Sequence, residues 1–260
     1  FMESDNYTWW RLRLKRMATL FHALRVDHIL GFFRIWEIPR STCVRGMLGH
    51  FFPCNPSHRS ELEGRGLYDI ERYRLPYVRW HLLCQKFGGE AEWVSKTFFN
   101  SRGADVNDDW YDFKPEYDNE KKIDAAIDEM FKDDPGKAKH YKTCLFQLMD
   151  DVLIVPDPYL WDNYHPRTTI TLEHIEITPN GPEEFGSPAW MELPEPQKTA
   201  IKDYYNEFTF KRQNHLWVTK AGPKLNILKN STNMLICAED LGQLTDEILA
   251  AITGAGLLSL

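Results

Sequence analysis

Two short acidic motifs hold the residues through which this sequence could do chemistry. They are Arg25-Val26-Asp27-His28 and Ala238-Glu239-Asp240-Leu241-Gly242, and their carboxylates Asp27 and Glu239 lie 212 residues apart. Residues two apart on a strand share a face, so Arg25 and Asp27 point the same way, and the guanidinium favours the ionised carboxylate. At the C-terminal end of a barrel strand such a carboxylate suits a nucleophile; at the end of any strand it equally suits a structural ion pair. By the same alternation Leu235, Cys237 and Glu239 form an apolar column ending in one carboxylate, a setting that raises a carboxyl pKa and favours a general acid. The competing reading assigns Glu239 or Asp240 to the turn into the next helix. Together the two motifs make the paired carboxylates of glycosidic chemistry a coherent hypothesis.

Each motif has a helix before it. Trp10, Leu14, Met17 and Phe21 recur at helical spacing and predict a helix over about 7–22, with Arg11, Arg13, Lys15 and Arg16 as its solvated side. A β-prone stretch at Leu24–His28 follows, and then Gly31–Pro39. Near the end, Ile201, Tyr204, Tyr205, Phe208 and Leu216 predict one long helix over about 195–221, broken by Gly222-Pro223. Met234–Ala238 is apolar on both faces, as a buried parallel strand would be. Thr245 can cap a helix with Asp246 and Glu247 in its first turn, Gly254 or Gly256 can end it, and Leu257–Leu260 would be the next strand. Helix and strand therefore alternate at both ends. The middle does not alternate: helices are expected near 77–87, 91–99, 119–132 and 137–149, with loops at 64–66, 105–112 and 179–196. The expected fold is α/β, a partial (β/α)8 TIM barrel interrupted by a largely helical insertion. Its parts are 1–40 with the nucleophile, 41–194 as the insertion and 195–260 with the acid/base.

Composition narrows the function. The 31 Lys+Arg and 38 Asp+Glu give a formal charge of −7, which argues against a nucleic-acid or anionic-membrane surface. No apolar run has the length of a membrane span or a secretory leader, so a cytoplasmic protein is expected. Cys43, Cys54, Cys84, Cys144 and Cys237 are widely spaced and read as reduced core thiols. The chain opens on Phe1 and closes on a bare apolar strand, which reads as a piece of a longer protein.

The segments Tyr7–Arg11, Arg25–Pro39 and Met234–Gly242 resemble the 4-α-glucanotransferases, or amylomaltases, with fainter similarity at Asp157-Pro158 and Tyr164–Arg167. The long gap between the motifs resembles the cytosolic plant and protist type. The resemblance implies a TIM barrel in which Asp27 is the nucleophile, Glu239 the general acid/base, Arg25 a partner of the nucleophile and His28 a contact to the sugar beside the scissile bond. It implies transfer of α-1,4-glucan or glucosyl units from maltose or malto-oligosaccharides to a glucan or glucose acceptor, by a retaining double displacement. The family also uses a third carboxylate in a later His-Asp motif that this chain does not contain, so the isolated chain is expected to be inactive. The alternatives are an α-glucan hydrolase and a non-catalytic carbohydrate-binding fragment.

The remaining signals are weaker. Asp105-Val106-Asn107-Asp108-Asp109 with Glu116 partly matches a calcium loop, but Trp110 stands where that loop needs glycine, so a solvated loop is expected. His22, His28, His50 and His58 lack zinc spacing. No metal and no cofactor is expected. Among nine tryptophans, Trp36 and Trp110 are the candidates for stacking on sugar, with Trp36 placed in the substrate site.

Overall fold

The computed structural model describes residues 3–46, 48–103, 109–167, 174–178, 181–185, 187–242 and 244–259. It is a mixed α/β structure of two units. One comprises Phe1–Trp36, Phe51–Asn55 and Asn206–Leu260, the other Glu37–His50 and Pro56–Tyr205.

The first, parallel unit is built on three strands in the order Ala23–Val26, Leu235–Ala238, Leu258–Ser259. Both pairings are parallel, with Arg25 opposite Cys237, Val26 opposite Ala238 and Cys237 opposite Leu258. Parallel neighbours need a crossover, and the helix Asp246–Gly254 supplies one between the last two strands. That helix begins as the sequence implies: Thr245 Oγ1 accepts the Ile248 N–H at 3.4 Å, and Asp246 and Glu247 sit in the positive first turn. Gly256, at φ 73, lets the chain turn into the final strand.

One face of the sheet is covered. Val26, Ile236, Ala238 and Leu257 pack with Leu14, Trp217, Ala221, Leu225, Leu228, Ile248 and Ile252 in one apolar core. The other face, carrying Arg25, Leu235 and Leu258, is open; Leu235 is 49% exposed. The expectation of a strand buried on both faces is therefore corrected: within this unit helices close one side alone. The first helix runs Thr8–Ala18, shorter than expected, and buries Leu14 with Trp10 and Met17 half-buried, while Phe21 lies beyond its end and is exposed.

The long helix breaks elsewhere than expected. Glu195–Glu207 passes through a π-helical turn, Phe208–Arg212, into Asn214–Asn230, and Pro223 lies inside that last helix. An interior proline costs about 3 kcal/mol. Trp217, Ala221, Leu225 and Leu228 are buried at helical spacing, and three large side chains at roughly 1.5–3 kcal/mol each outweigh that cost. Tertiary packing overrides the local breaker. Lys224 Nζ adds a bond of 2.6 Å to the Phe32 carbonyl.

The second, antiparallel unit contains the expected helices as Trp80–Phe87, Ala91–Phe98, Glu120–Met130 and Pro135–Met149. It also contains strands that the sequence does not signal. Ser57–His58, Asn163–Pro166 and Ile154–Pro156 form one antiparallel sheet in that order. Phe99–Ser101 pairs with Tyr111–Phe113, and His174–Thr178 with Gly181–Phe185, so parts of the expected loops 105–112 and 179–196 are strand. Runs of two to five residues are too short for period-two alternation to register. None of the described helices is long and apolar enough to cross a membrane. The five cysteines are free; Cys43 and Cys144 are buried, whereas Cys84 is exposed and is no core thiol.

Candidate active site

Asp27 and Glu239 follow the paired residues Val26 and Ala238 of neighbouring parallel strands, so both carboxylates leave the sheet at the same end. The ladder continues through them: Glu239 N–H donates to the Val26 carbonyl and Ile29 N–H to the Glu239 carbonyl, each at 2.9 Å. By the alternation of the strands both fall on the open face. The apolar column expected beneath Glu239 is therefore not closed, since Leu235 is exposed and Cys237 half-buried.

The two carboxylates are held differently. Asp27 Oδ1 accepts from Arg25 Nη2 at 3.0 Å, and the pair stands in solvent with side chains 83% and 59% exposed. Glu239 is 9% exposed and is fixed by backbone: Oε2 accepts the His28 N–H at 2.7 Å and Oε1 the Leu241 N–H at 3.2 Å. The bond to Leu241 shows that Glu239 does serve the following turn, one of the roles open from sequence, while the bond to His28 ties it to the other motif. His28 takes φ 51, ψ 61, a left-handed conformation uncommon outside glycine, and this aims its N–H at Glu239. Such strain, of order 1–3 kcal/mol, collects at functional sites. Gly242 completes the turn at φ 130, a conformation that favours glycine, and a Cβ there would also crowd Leu30 Cδ1 at 3.1 Å.

The structure thus brings Arg25, Asp27, His28 and Glu239 together. Trp36 sits on the strand Ile35–Glu37, half-buried, edge-to-face with Phe51 at 5.0 Å between ring centroids. Trp110 belongs to the antiparallel unit. Tyr77 meets its ring edge-on at 5.0 Å, and the guanidiniums of Arg79, Arg102 and Arg72 lie 4.7, 5.3 and 5.5 Å from its centroid, so it is a packed ring. Of the calcium-loop candidates, 105–108 lie outside the described residues; the Asp109 carboxylate is engaged by Arg79, with Nε at 2.6 Å, and Glu116 lies in a 3-10 turn. The tryptophan that sequence reasoning missed is Trp161, 93% exposed. Its signal was available: Asp157-Pro158 and Asp162-Asn163 bracket three large residues in a polar turn.

A sheet of parallel strands with a crossover helix and two carboxylates at one strand end is an α/β arrangement of the kind whose sites gather at the C-terminal edge of the sheet. The comparisons with known proteins narrow it. Residues 1–260 match glycoside hydrolase family 77, described as 4-alpha-glucanotransferase, and the chain belongs to that family. It is 32% identical to the 4-alpha-glucanotransferase DPE2 of Oryza sativa subsp. japonica, across 100% of this chain and 26% of the rice protein. The chain thus spans about a quarter of that relative's length. Shorter similarities link it to the 4-alpha-glucanotransferase of Thermus thermophilus, 43% identical over 17% of this chain and 9% of that protein. The chloroplastic/amyloplastic DPE1 of Arabidopsis thaliana is 40% identical over 19% of this chain and 8% of that protein. No solved structure matches.

Proposed function

We propose that the protein is a 4-α-glucanotransferase working by a retaining double displacement. The observation that carries this is the bond from the His28 N–H to Glu239 Oε2, which sets the Glu239 carboxylate against the residue that follows Asp27. Neighbouring strands stand about 4.8 Å apart, and carboxylates at matched register on such strands support the roughly 5–5.5 Å separation of retaining enzymes better than the roughly 6.5–9.5 Å of inverting ones.

Asp27, accessible and oriented by Arg25, attacks the anomeric carbon of an α-1,4-glucan while Glu239 protonates the departing glycosidic oxygen. The 4-hydroxyl of a glucose or glucan acceptor then opens the glucosyl ester, Glu239 taking its proton. His28 contacts the sugar next to the scissile bond, and Trp36 offers an aromatic edge. Maltose and malto-oligosaccharides are the donors, with no metal or cofactor in the chemistry.

In the same reading the parallel unit is part of a (β/α)8 barrel, with 1–40 and 195–260 its two pieces and 41–194 the insertion. Ala23–Val26 and Leu235–Ala238 are direct neighbours although everything from Asp27 to Met234 lies between them in sequence, which supports an insertion at that point. Free cysteines support a cytoplasmic location. The test gives the complete protein maltose and glycogen, and follows both glucose release and glycogen elongation, with NMR of the first-formed anomer. Elongation with retained α-configuration is expected. An inverted anomer would overturn the mechanism, and glucose release without elongation would make the enzyme a hydrolase.

A further inference from the structure

In the antiparallel unit, the loop joining Ile154–Pro156 to Asn163–Pro166 is held with unusual density. Asp157 Oδ1 accepts the N–H groups of Tyr159 and Leu160 at 2.8 and 2.7 Å, and Asp157 Oδ2 meets His165 Nε2 at 2.7 Å. Asp157 N–H donates to the Asn163 carbonyl at 2.7 Å, and Asn163 Nδ2 to the Trp161 carbonyl at 2.8 Å. At the far end the Asp162 carboxylate takes Arg59 Nε at 2.9 Å and the Tyr164 hydroxyl at 2.9 Å. The loop's polar groups are spent on fixing its backbone. What it presents outward is apolar: Trp161 is 93%, Tyr159 71% and Leu160 51% exposed. One polar edge accompanies them, where the Tyr159 hydroxyl donates to Glu37 Oε2 at 3.3 Å.

A rigid loop that exposes aromatic faces beside a carboxylate matches one ligand chemistry better than others. A pyranose ring has an apolar C–H face and a rim of hydroxyls, so it covers an aromatic ring while donating to a carboxylate at its edge. Because the loop is already fixed, binding orders little chain. We propose that this loop is a glucan-binding platform in its own right, with Trp161 and Tyr159 stacking on a pyranose of a malto-oligosaccharide or glycogen and Glu37 accepting one of its hydroxyls. The proposal rests on the glucan reading above for the nature of the ligand, but binding can be measured without turnover.

The experiment uses the complete protein, with glycogen and maltoheptaose as probes. Retardation in a glycogen-containing native gel and titration with maltoheptaose are compared for wild type, Trp161→Ala, Tyr159→Ala and Trp161→Phe. Trp161→Ala is expected to weaken glycogen retention and raise the KM for glycogen roughly tenfold, the change that about 1.4 kcal/mol of lost ring contact produces, without altering kcat. Trp161→Phe should restore most of it. An unchanged melting temperature is expected for a side chain so exposed. Glycogen binding that Trp161→Ala leaves intact, or a wild type that does not bind glycogen, overturns the platform. A change of oligomeric state in place of glycogen affinity overturns it in favour of a protein contact. Glycogen binding lost with Trp161→Ala in a protein that transfers no glucosyl units would leave the platform standing and remove the catalytic reading.

Discussion

The two units differ in how their paired charges are held. In the parallel unit Arg34 and Glu239 are buried, but the Arg25–Asp27 pair stands at the strand ends in solvent. In the antiparallel unit the carboxylates of Glu120, Asp150 and Asp151 are buried at 1%, 3% and 4% exposure. Glu120 Oε2 accepts the N–H groups of Val44 and Arg45 at 2.5 and 2.7 Å, its Oε1 accepts from Arg45 Nε at 3.2 Å, and Arg45 also binds Asp150. Exposed pairs contribute little to stability, whereas breaking a buried one leaves a charge uncompensated. Breaking the Arg25–Asp27 pair should thus cost the parallel unit little, whereas breaking the Glu120–Arg45–Asp150 cluster should cost the antiparallel unit much.

The largest effect should therefore come without any loss of fold. Asp27→Asn in the complete protein is expected to lower transfer from maltose to glycogen by on the order of 10⁴-fold, with the melting temperature unchanged. Glu239→Gln should be nearly as damaging with a poor leaving group and less so with one that needs no proton. Residual transfer in Asp27→Asn within tenfold of wild type would show that another group attacks.

The opposite outcome is expected for Glu120→Ala. It orphans two backbone donors and leaves Arg45 facing Asp150 alone, so the antiparallel unit should lose roughly 3–5 kcal/mol, measured by denaturant unfolding. A loss below about 1 kcal/mol would mean that this cluster is as dispensable as a surface pair, and the contrast between the units would fail.

This contrast was only half legible in the sequence. Arg25 and Asp27 are two residues apart, so strand alternation alone puts them together; Glu239 could be placed at a strand end because a run of apolar residues stops there. The partnership of Glu120 with Arg45 and Asp150 joins residues far apart in the chain, with no periodicity to announce it. The same holds for Pro223 inside a helix: the local signal says break, and the outcome depends on what Trp217 and Leu228 find to pack against. The left-handed His28 had no signal either, since nothing in Asp27-His28-Ile29 demands a positive φ.

Acidity offers a third way to test the comparison. Burial, reinforced by Glu120 and opposed by Arg45, pushes Asp150 up from 3.8 to about 7. Its folded value is raised, so its contribution to stability is present below 3.8 and lost as pH rises through about 7. His165 behaves in the opposite sense. Burial, with His50 nearby and against the pull of Asp157, lowers it from 6.5 to about 4. Its contribution is present above 6.5 and lost as pH falls through about 4, about 3 kcal/mol in all. The two windows overlap between about pH 4 and 6.5, where one contribution falls as the other rises, so the wild-type melting temperature should be nearly level there. Asp150→Asn should leave it rising with pH across that range, and His165→Gln should leave it falling. Identical slopes in wild type and Asp150→Asn would remove Asp150 from the account.

The smallest effect on stability is expected at Arg25, and it sharpens the comparison most. Its partner Asp27 is 83% exposed and its own side chain 59%, so Arg25→Ala should change unfolding free energy by less than about 1 kcal/mol. On the proposed mechanism the same bond does something that stability does not register: it fixes the direction of Asp27 Oδ1 for attack. Losing one charged hydrogen bond of about 1.5–3 kcal/mol should lower kcat/KM roughly ten- to hundredfold. Arg25→Lys keeps the charge without the planar fork and should fall between. The decisive measurement is the pair of numbers, melting temperature and kcat/KM, on the same preparations. If Arg25→Ala leaves both unchanged, the Arg25–Asp27 contact is the ordinary ion pair that the motif alone also allowed.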